Sequence, residues 1–274
     1  MDDYMKLAMD GQDDVCAEYA AVSVGTIEAH GSRYVTFNAP SGWFGRNSFI
    51  APSAEELDGI VKEILANEEK GYPTLTAYAE EFQPENAAEV MESNGFSLFL
   101  TQTGMVFDLE KTEIPDYVIP EGGAEPEIVT LDTACVRNQE YLRIREKSIP
   151  EERLHEWTEV MTEGFKPEKQ LEYNVYDNFA KSANVIMYAS LKDGKIAGTA
   201  MLLLNDHNSG IHEVAVPVEH RHQKLATNLI IRILKDLETL GRTEVSLQAS
   251  PFGYPVYSAI GFQETCHIHT WKLQ

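Results

Sequence analysis

Apolar residues recur along this chain at two characteristic spacings, which predict an alternation of strands and helices. In the last third, residues 211–217 are mostly apolar and predict a buried strand, whereas residues 224–240 carry leucine and isoleucine at helical intervals. The same reasoning assigns the first half of the chain, in order: a helix at 3–20, strands within 22–38, an irregular stretch at 39–52, a helix at 53–70, a strand at 74–80, a helix opened by Pro84 and closed near Asn94, and a hairpin of strands 96–101 and 104–109. The second half contains two or three helices within 132–181, strands at 184–191, 195–204 and 243–248, a short helix, and a final hairpin whose last strand runs to Trp271.

The order of elements in the first half repeats in the second half. The helix that starts at Ser53 corresponds to the helix from Lys224, and the pairs Gly95-Phe96 and Gly261-Phe262 each close a short helix and open a strand. Residues 112–127 lie between the halves and are rich in proline and glycine, as linkers are. This pattern predicts two related domains, at 1–111 and 128–274, joined by a linker at 112–127. The alternative is two ordinary helix–glycine–strand junctions.

A cationic turn separates the predicted strand 211–217 from the helix that follows it. Residues 219–223 read Glu-His-Arg-His-Gln, and Lys224 comes next. The start of a helix offers unpaired backbone N–H groups and the positive end of the helix dipole. Arg221 and Lys224 add positive charge, and the small Ala226 allows a close approach. The sequence therefore predicts a phosphate or pyrophosphate site at this turn.

Two motifs in this region resemble those of the GNAT family, the acetyl-CoA-dependent N-acetyltransferases. The first motif is Arg221-His222-Gln223-Lys224-Leu225-Ala226, and the second is Tyr257 four residues before Gly261-Phe262. The resemblance covers roughly residues 126–272 and departs from the family at Lys224, where glycine is usual. It implies an α/β (α+β) fold of two GNAT-like domains, each a mixed, largely antiparallel twisted sheet flanked by helices. It also implies acetyl-CoA as co-substrate.

The resemblance further implies a role for each residue that matches the family pattern. Tyr257 would protonate the leaving thiolate, and a backbone N–H near Ala215 would polarise the thioester carbonyl. Apart from the resemblance, His212 and Glu213 lie on the strand that leads to the turn, and neighbouring residues of a strand point to opposite faces. One of the two could therefore remove the amine proton, and we favour Glu213 over the alternative of a solvent-facing or salt-bridged glutamate. Ser250 would hydrogen-bond the pantetheine arm, cap the next helix ahead of Pro251, or do both. The expected cofactor-binding residues are Val214, Ala215, Val216, Arg221, His222, Gln223, Lys224, Leu225, Ala226, Thr227 and Ser250.

The first half departs from the same pattern where the chemistry would be. Met91 stands four residues before Gly95, and methionine has no proton to give. The corresponding helix opens with Glu55, Glu56 and Asp58, whose carboxylates would repel a pyrophosphate. We therefore expect a degenerate first domain that is structural or shapes the acceptor pocket.

Composition narrows the classes of partner. The formal charge of −22 argues against nucleic acid as a partner, since such a surface repels polyanions. It would attract a cationic acceptor, namely a primary amine of a small molecule or peptide; the alternative is that the acidic composition serves solubility alone. No apolar run long enough for a membrane span and no signal-peptide pattern is present, and the three cysteines lack metal spacing, so a cytoplasmic protein is expected. His267 and His269 share one face of a strand without further ligands, so no metal is expected. The oligomeric state stays open, with a homodimer as one option.

Two other functions remain open at this point. Lys224 in place of glycine would also suit a non-catalytic CoA-binding or regulatory module. A scaffold with two degenerate copies is the third reading, against which Tyr257 and the cationic turn argue.

Overall fold

The computed structural model divides the chain into two compact units that interleave along the sequence. It describes residues 3–23, 25–31, 33–39, 44–68, 70–121, 123–137, 141, 143–165, 172–206 and 208–274. The first unit comprises residues 1–105, 248–251 and 264–274, and the second comprises 106–247 and 252–263. These bounds differ from the predicted domain bounds chiefly because the C-terminal strand belongs to the first unit.

Seven helices and twelve strands make up the described part of the chain. The helices are α1 Asp3–Val22, α2 Ala54–Glu68, α3 Ala87–Ser93, α4 Leu154–Phe165, α5 Tyr173–Phe179, α6 Leu225–Thr239 and α7 Tyr254–Ile260. The strands are β1 Thr26–His30, β2 Tyr34–Asn38, β3 Arg46–Phe49, β4 Thr76–Ala79, β5 Phe96–Asp108, β6 Glu127–Leu131, β7 Ser148–Ile149, β8 Val185–Lys192, β9 Lys195–Leu204, β10 Ser209–Ala215, β11 Glu244–Ala249 and β12 Gln263–Leu273.

The first unit is built on a mixed sheet with the strand order β1-β2-β3-β4-β12-β5. Strand β3 runs parallel to β4, whereas β12 pairs antiparallel with β4 through Ile268–Trp271 opposite Thr76–Ala79. Helices α2 and α3 supply Leu57, Ile60, Ile64 and Met91 to a buried cluster that also contains Trp271. The first unit thus takes its core partly from the last residues of the chain.

The second unit is built on the strand order β11-β10-β9-β8-β6-β7. The pairs β10/β11 and β6/β7 are parallel, and the pairs β9/β10, β8/β9 and β6/β8 are antiparallel. Successive residues of β8 and β9 are buried, which means that both faces of these central strands are covered. Helices α4 and α6 both pack on β9. The mixed α/β architecture predicted from the sequence is confirmed.

The similarity of the two halves extends to their local geometry. Helices α2 and α6 each have 15 residues, and α3 and α7 each have seven. Gly95 and Gly261 both adopt a left-handed conformation after the short helix, at φ of 86° and 119°, and a buried phenylalanine follows each. A left-handed residue ends a helix at low cost only when it is glycine.

Four expectations from the sequence were wrong in detail. The predicted hairpin at 96–109 is the single strand β5, and the predicted final hairpin is the single strand β12. Strand β3 lies within the stretch that was predicted to be irregular, and Pro84 precedes α3 by three residues instead of opening it. Gly104 explains the first error, since it allows close packing and makes no turn: a Cβ there would lie 2.6 Å from Sγ of Cys266.

Cys16, Cys135 and Cys266 are buried and form no disulfide. Burial raises the pKa of the Cys16 and Cys266 thiols to about 11, which disfavours the reactive thiolate. Among the helices of the described ranges, none combines the length and apolarity that a membrane crossing requires.

We expect Gly104→Ala to destabilise the protein by about 1–3 kcal/mol, because the added methyl group would overlap Sγ of Cys266 and approach Cβ of Ala8 at 3.0 Å. Urea unfolding measures the effect. Gly59→Ala is the matched control: Gly59 lies in α2, is exposed and has no neighbour near its Cβ position, so this change should stabilise by about 0.5–1 kcal/mol. Equal unfolding midpoints for Gly104→Ala and the unchanged protein would contradict this packing of β5 and β12.

Candidate active site

The turn between β10 and α6 carries two residues in the left-handed backbone region. Lys224 has φ of 62° and ψ of 16°, and His222 has φ of 61°. A side chain costs roughly 1–2 kcal/mol in this region, which glycine occupies freely. This conformation explains why a glycine would suit position 224, and Lys224 adopts it despite its side chain. Strain of this kind concentrates at functional sites.

The first turn of α6 presents uncapped backbone donors. Lys224 is the N-cap residue, and no side chain caps the helix there. The first helical bond runs from the N–H of Asn228 to the carbonyl of Lys224, so the N–H groups of Leu225, Ala226 and Thr227 have no acceptor within the helix. The first turn of α6 also contains no acidic residue. These features suit an anion.

Helix α2, the counterpart of α6 in the first unit, begins in the opposite way. The Ser53 hydroxyl accepts a hydrogen bond from the N–H of Glu56 at 3.2 Å and donates to the carboxylate of Glu56 at 3.4 Å. Glu55 adds a second carboxylate in the first turn. This capping interaction satisfies one of the free N–H groups with the chain's own atoms and places negative charge beside the others. Helix α2 is therefore not arranged to bind an anion.

Side chains of the cationic turn are fixed by hydrogen bonds within the second unit. Arg221 donates from Nε to the carbonyl of Val216 at 3.0 Å and from Nη2 to the carbonyl of Gly164 at 2.9 Å. Gln223 donates to the carbonyl of Glu219 at 3.2 Å and accepts from Nζ of Lys192 at 2.8 Å. Lys192 was missed by the sequence reasoning. The signal was the Asp193-Gly194 turn, which joins β8 to β9 beside β10.

Positive charge at the turn is not neutralised by neighbouring carboxylates. Within the described ranges, Lys192, Arg221 and Lys224 take part in no ion pair. The chain as a whole carries a formal charge of −22, so carboxylates outnumber cations twofold. The positive charge of these side chains is therefore not cancelled locally and would favour an anion at this turn.

Strand β10 bends just before the turn. His212 pairs with Met201 and Ala215 pairs with Thr199, so β10 holds one residue more than β9 over this interval. Glu213 lies in this bulge at φ of 51°, and its carbonyl accepts a hydrogen bond from the Thr199 hydroxyl at 3.1 Å. The strict alternation that we used to separate His212 from Glu213 does not hold across a bulge. The bulge also sets the direction of Val214–Val216.

A buried polar network holds α6 in place. The Asp236 carboxylate accepts hydrogen bonds from the Tyr188 hydroxyl and from Nε of Arg232, each at 3.0 Å. Burial raises the pKa of Asp236, while Arg232 and Tyr188 favour its charged form. Asn228 pairs through both of its side-chain ends with the backbone of Val118, at 2.8 and 2.9 Å. Part of the predicted linker is thereby attached to α6.

Tyr257 lies on α7, which packs against α6. It is 8% exposed, and its ring packs on Phe262 with a centroid distance of 5.9 Å. Burial raises the pKa of the Tyr257 phenol above its ordinary value of 10, so the hydroxyl keeps its proton at neutral pH. No hydrogen bond of this hydroxyl is found among the residues that the structure describes. The proton of Tyr257 is therefore not committed to a described neighbour.

Ser250 does not cap α7, contrary to one of the two roles considered for it. The N-cap of α7 is Gly253, and the helix begins at Tyr254 because a turn at residues 251–253 intervenes. Gly253 is required there, since a Cβ would lie 2.8 Å from Cε2 of Tyr257. Ser250 itself follows β11 and belongs to the first compact unit.

His267 and His269 are paired with glutamates in the first unit. His267 Nδ1 lies 2.9 Å from the Glu81 carboxylate, and His269 Nε2 lies 3.0 Å from the Glu80 carboxylate. The backbone N–H of His267 also donates to Glu81. The described residues contain no group of three or more histidines, cysteines or carboxylates arranged to hold a metal ion. These histidines connect β12 to the residues after β4.

An open cleft of about 1020 Å³ lies elsewhere in the second unit. Its lining is of mixed charge, including Asp132, Arg137, Arg145, Glu151 and Asp177, and contains none of the predicted site residues. Arg137 and Arg145 are both paired with carboxylates there. The arginines that line this cleft are thus paired with carboxylates, whereas the cations of the turn are not.

Residues 149–269 match the model of the GNAT acetyltransferase domain. A GCN5-related N-acetyltransferase from Kribbella flavida superposes with a TM-score of 0.64 at 14% identity, over 97% of this chain and 94% of that one. A conserved protein of unknown function from Staphylococcus epidermidis ATCC 12228 gives 0.62 at 13% identity, over 91% and 94%. A tandem GNAT protein from the clavulanic acid biosynthesis pathway gives 0.55 at 14% identity, over 90% and 78%. At these identities the structural likeness shows the fold, and the GNAT domain predicted from the two motifs is confirmed over residues 149–269.

We expect the pairing of His267 with Glu81 to stabilise the protein below about pH 6.5 and to lose this effect as pH rises. Hydrogen bonding to Glu81 raises the pKa of His267 above 6.5, and a raised folded-state value favours folding only while the ring is protonated. His267→Gln should therefore cost up to about 1 kcal/mol at pH 6 and nearly nothing at pH 9, since both groups are partly exposed. Urea unfolding at both pH values tests this. Glu81→Gln should reproduce the difference, and a cost independent of pH would contradict the pairing.

Proposed function

Residues 149–269 form a GNAT acetyltransferase domain, and from this premise we propose that the protein transfers an acetyl group from acetyl-CoA to a primary amine. The second compact unit is the catalytic one in this proposal, and the first is a degenerate copy. The acceptor is an amine of a small molecule or a peptide. Its cationic form would be attracted by a chain of charge −22, which also makes nucleic acid an unsuitable partner. The three reduced cysteines suit a cytoplasmic setting.

The observation that carries the proposal is the uncapped start of α6. Three backbone N–H groups and the positive end of the helix dipole are available to an anion there, and Lys224 and Lys192, which donates to Gln223, add positive charge to the turn. The pyrophosphate of acetyl-CoA would supply the negative charge and the hydrogen-bond acceptors for these N–H groups. Helix α2 is less suited to an anion, since Ser53 caps the N–H of Glu56 and the first turn carries the carboxylates of Glu55 and Glu56. One cofactor site per chain follows.

The residues of the second unit fit the roles that acetyl transfer requires. An N–H group near Ala215 and Val216 would polarise the thioester carbonyl. Glu213 would accept a proton from the amine, directly or through water, so that the nitrogen lone pair can form the new C–N bond. As the C–S bond breaks, the sulfur leaves with the bonding electrons and receives the Tyr257 proton. Tyr257 is suited to this role because burial keeps its phenol neutral.

The main alternative is a GNAT-like module that binds CoA without turning it over. The left-handed backbone of Lys224 shows that the turn forms without glycine, so this substitution does not by itself argue for lost activity. A thiol-release assay with acetyl-CoA against polyamines, aminoglycosides, amino acids and peptides separates the alternatives. Release with any amine supports the enzyme, and binding without release across the panel supports the module.

Lys224→Glu should weaken acetyl-CoA binding by roughly tenfold or more, because a carboxylate would face the bound pyrophosphate. Lys224→Gly suits the left-handed backbone and removes the side chain with its ammonium without adding negative charge, so it should weaken binding by about fivefold or less. Isothermal titration calorimetry measures both affinities.

The control for net charge is Lys181→Glu, which changes an exposed lysine whose ammonium donates to the side chain of Asn178 at 3.3 Å. It should leave the affinity within about twofold, as expected for a screened surface charge. The assignment of the pyrophosphate to this turn fails if Lys224→Glu binds acetyl-CoA as tightly as Lys181→Glu does.

Tyr257→Phe should lower kcat by roughly 100-fold while acetyl-CoA affinity stays within about twofold, because the hydroxyl acts in the transition state. The ratio of kcat between the unchanged protein and Tyr257→Phe should be the same from pH 6 to 9, since the phenol, whose pKa burial raises, keeps its proton throughout that range. Tyr254→Phe removes a hydroxyl from the same helix and should keep most of the activity. Full turnover by Tyr257→Phe would make Tyr257 a packing residue.

A further inference from the structure

Arg221 joins two separate elements of the second unit. Its two hydrogen bonds end on the carbonyl of Val216, just after β10, and on the carbonyl of Gly164, in the last turn of α4. Carbonyl groups in the last turn of a helix lack intrahelical partners and carry the negative end of its dipole. The guanidinium supplies both a donor and a positive charge at that point. We call this pair of hydrogen bonds the Arg221 staple.

The elements that the staple joins are in direct backbone contact. A Cβ on Gly164 would lie 2.8 Å from the amide nitrogen of Val216 and 2.9 Å from Cβ of Ala215, so only glycine lets α4 approach this closely. On the neighbouring strand, a Cβ on Gly198 would lie 3.3 Å from Cγ2 of Val216. Val216 is thus fixed on its amide side by Gly164 and at its carbonyl by Arg221.

We propose that Arg221 is a positioning residue that orients the Ala215–Val216 peptide toward the thioester carbonyl, and that it is not a ligand of the cofactor phosphates. The inference rests on the proposed function, which assigns an N–H group of this segment to the thioester. Two donors of Arg221 are already committed to protein carbonyls. Lys224 and Lys192 carry the charge that a phosphate would meet.

A shorter acetyl donor distinguishes a positioning role of Arg221 from a phosphate-binding role. S-acetyl-pantetheine keeps the thioester and lacks the pyrophosphate and the adenosine. A positioning residue acts on the part that both donors share, so Arg221→Gln should lower kcat by roughly tenfold to 100-fold with either donor. Lys224→Glu should instead act mainly through KM, and mainly with acetyl-CoA. Arg221→Lys should stay impaired, because one ammonium does not reproduce the geometry of two guanidinium donors.

The proposal would be overturned if Arg221→Gln raised only the KM for acetyl-CoA and left the kinetics with S-acetyl-pantetheine unchanged, and if Arg221→Lys restored that KM. That pattern would make Arg221 a phosphate ligand. Arg33→Gln removes one arginine charge from the first unit, where Arg33 pairs with Glu63, and should leave the kinetics with both donors unchanged.

A second measurement requires no activity. In the protein alone, Arg221→Gln should speed amide hydrogen exchange within 213–216 and 161–165, and Gly164→Ala should do the same, whereas Arg33→Gln should not. Unchanged exchange in both variants would refute the staple. If the unchanged protein neither binds nor turns over acetyl-CoA, the proposed function fails, and the orienting role of Arg221 fails with it. The exchange measurement still reports in that case whether the Arg221 staple exists.

Discussion

The backbone donors at the start of α6 are the constraint on which the functional interpretation depends. Leu225, Ala226 and Thr227 have no acceptor within the helix, and the N-cap residue Lys224 supplies no capping oxygen. A helix end in this state is completed by solvent or by an anion. At the equivalent end of α2, Ser53 caps the N–H of Glu56, and the carboxylates of Glu55 and Glu56 lie in the first turn. Two helices of equal length at corresponding places in the two halves thus differ in whether a ligand could complete them.

The surroundings of α6 keep this helix end in a fixed orientation. The carboxylate of Asp236 ties the helix to Tyr188 on β8, and Asn228 ties it to Val118. On the other side of the turn, Gly164 permits backbone contact between α4 and the end of β10, and Arg221 hydrogen-bonds both. Catalytic hydrogen-bond donors are effective only when their positions are set before the substrate arrives. In the proposed reaction, the packing of α4 and α6 would fix these donors in addition to stabilising the second unit.

Much of the architecture could be predicted because it follows from local patterns. Leucine and isoleucine at helical spacing located α6 within a residue, and the Gly-Phe pairs located the ends of α3 and α7. The errors lie where the cause is distant in sequence. The hairpin predicted at 96–109 is one strand, in which Gly104 packs closely against Cys266 on β12. Lys192 reaches Gln223 only through the pairing of β8, β9 and β10, and the membership of β12 in the first unit depends on β4. Spacing along one segment carries no information on such contacts. The roles of Tyr257, Glu213 and the turn residues remain predictions.

Hydrogen exchange with and without acetyl-CoA tests the central claim most directly, because it reports on both helix starts at once. The account predicts that acetyl-CoA slows exchange of the amides of residues 221–227 and leaves those of residues 53–58 unchanged. Equal protection of both segments would show two cofactor sites, and protection that omits 221–227 would show that the uncapped start of α6 is not where the cofactor binds.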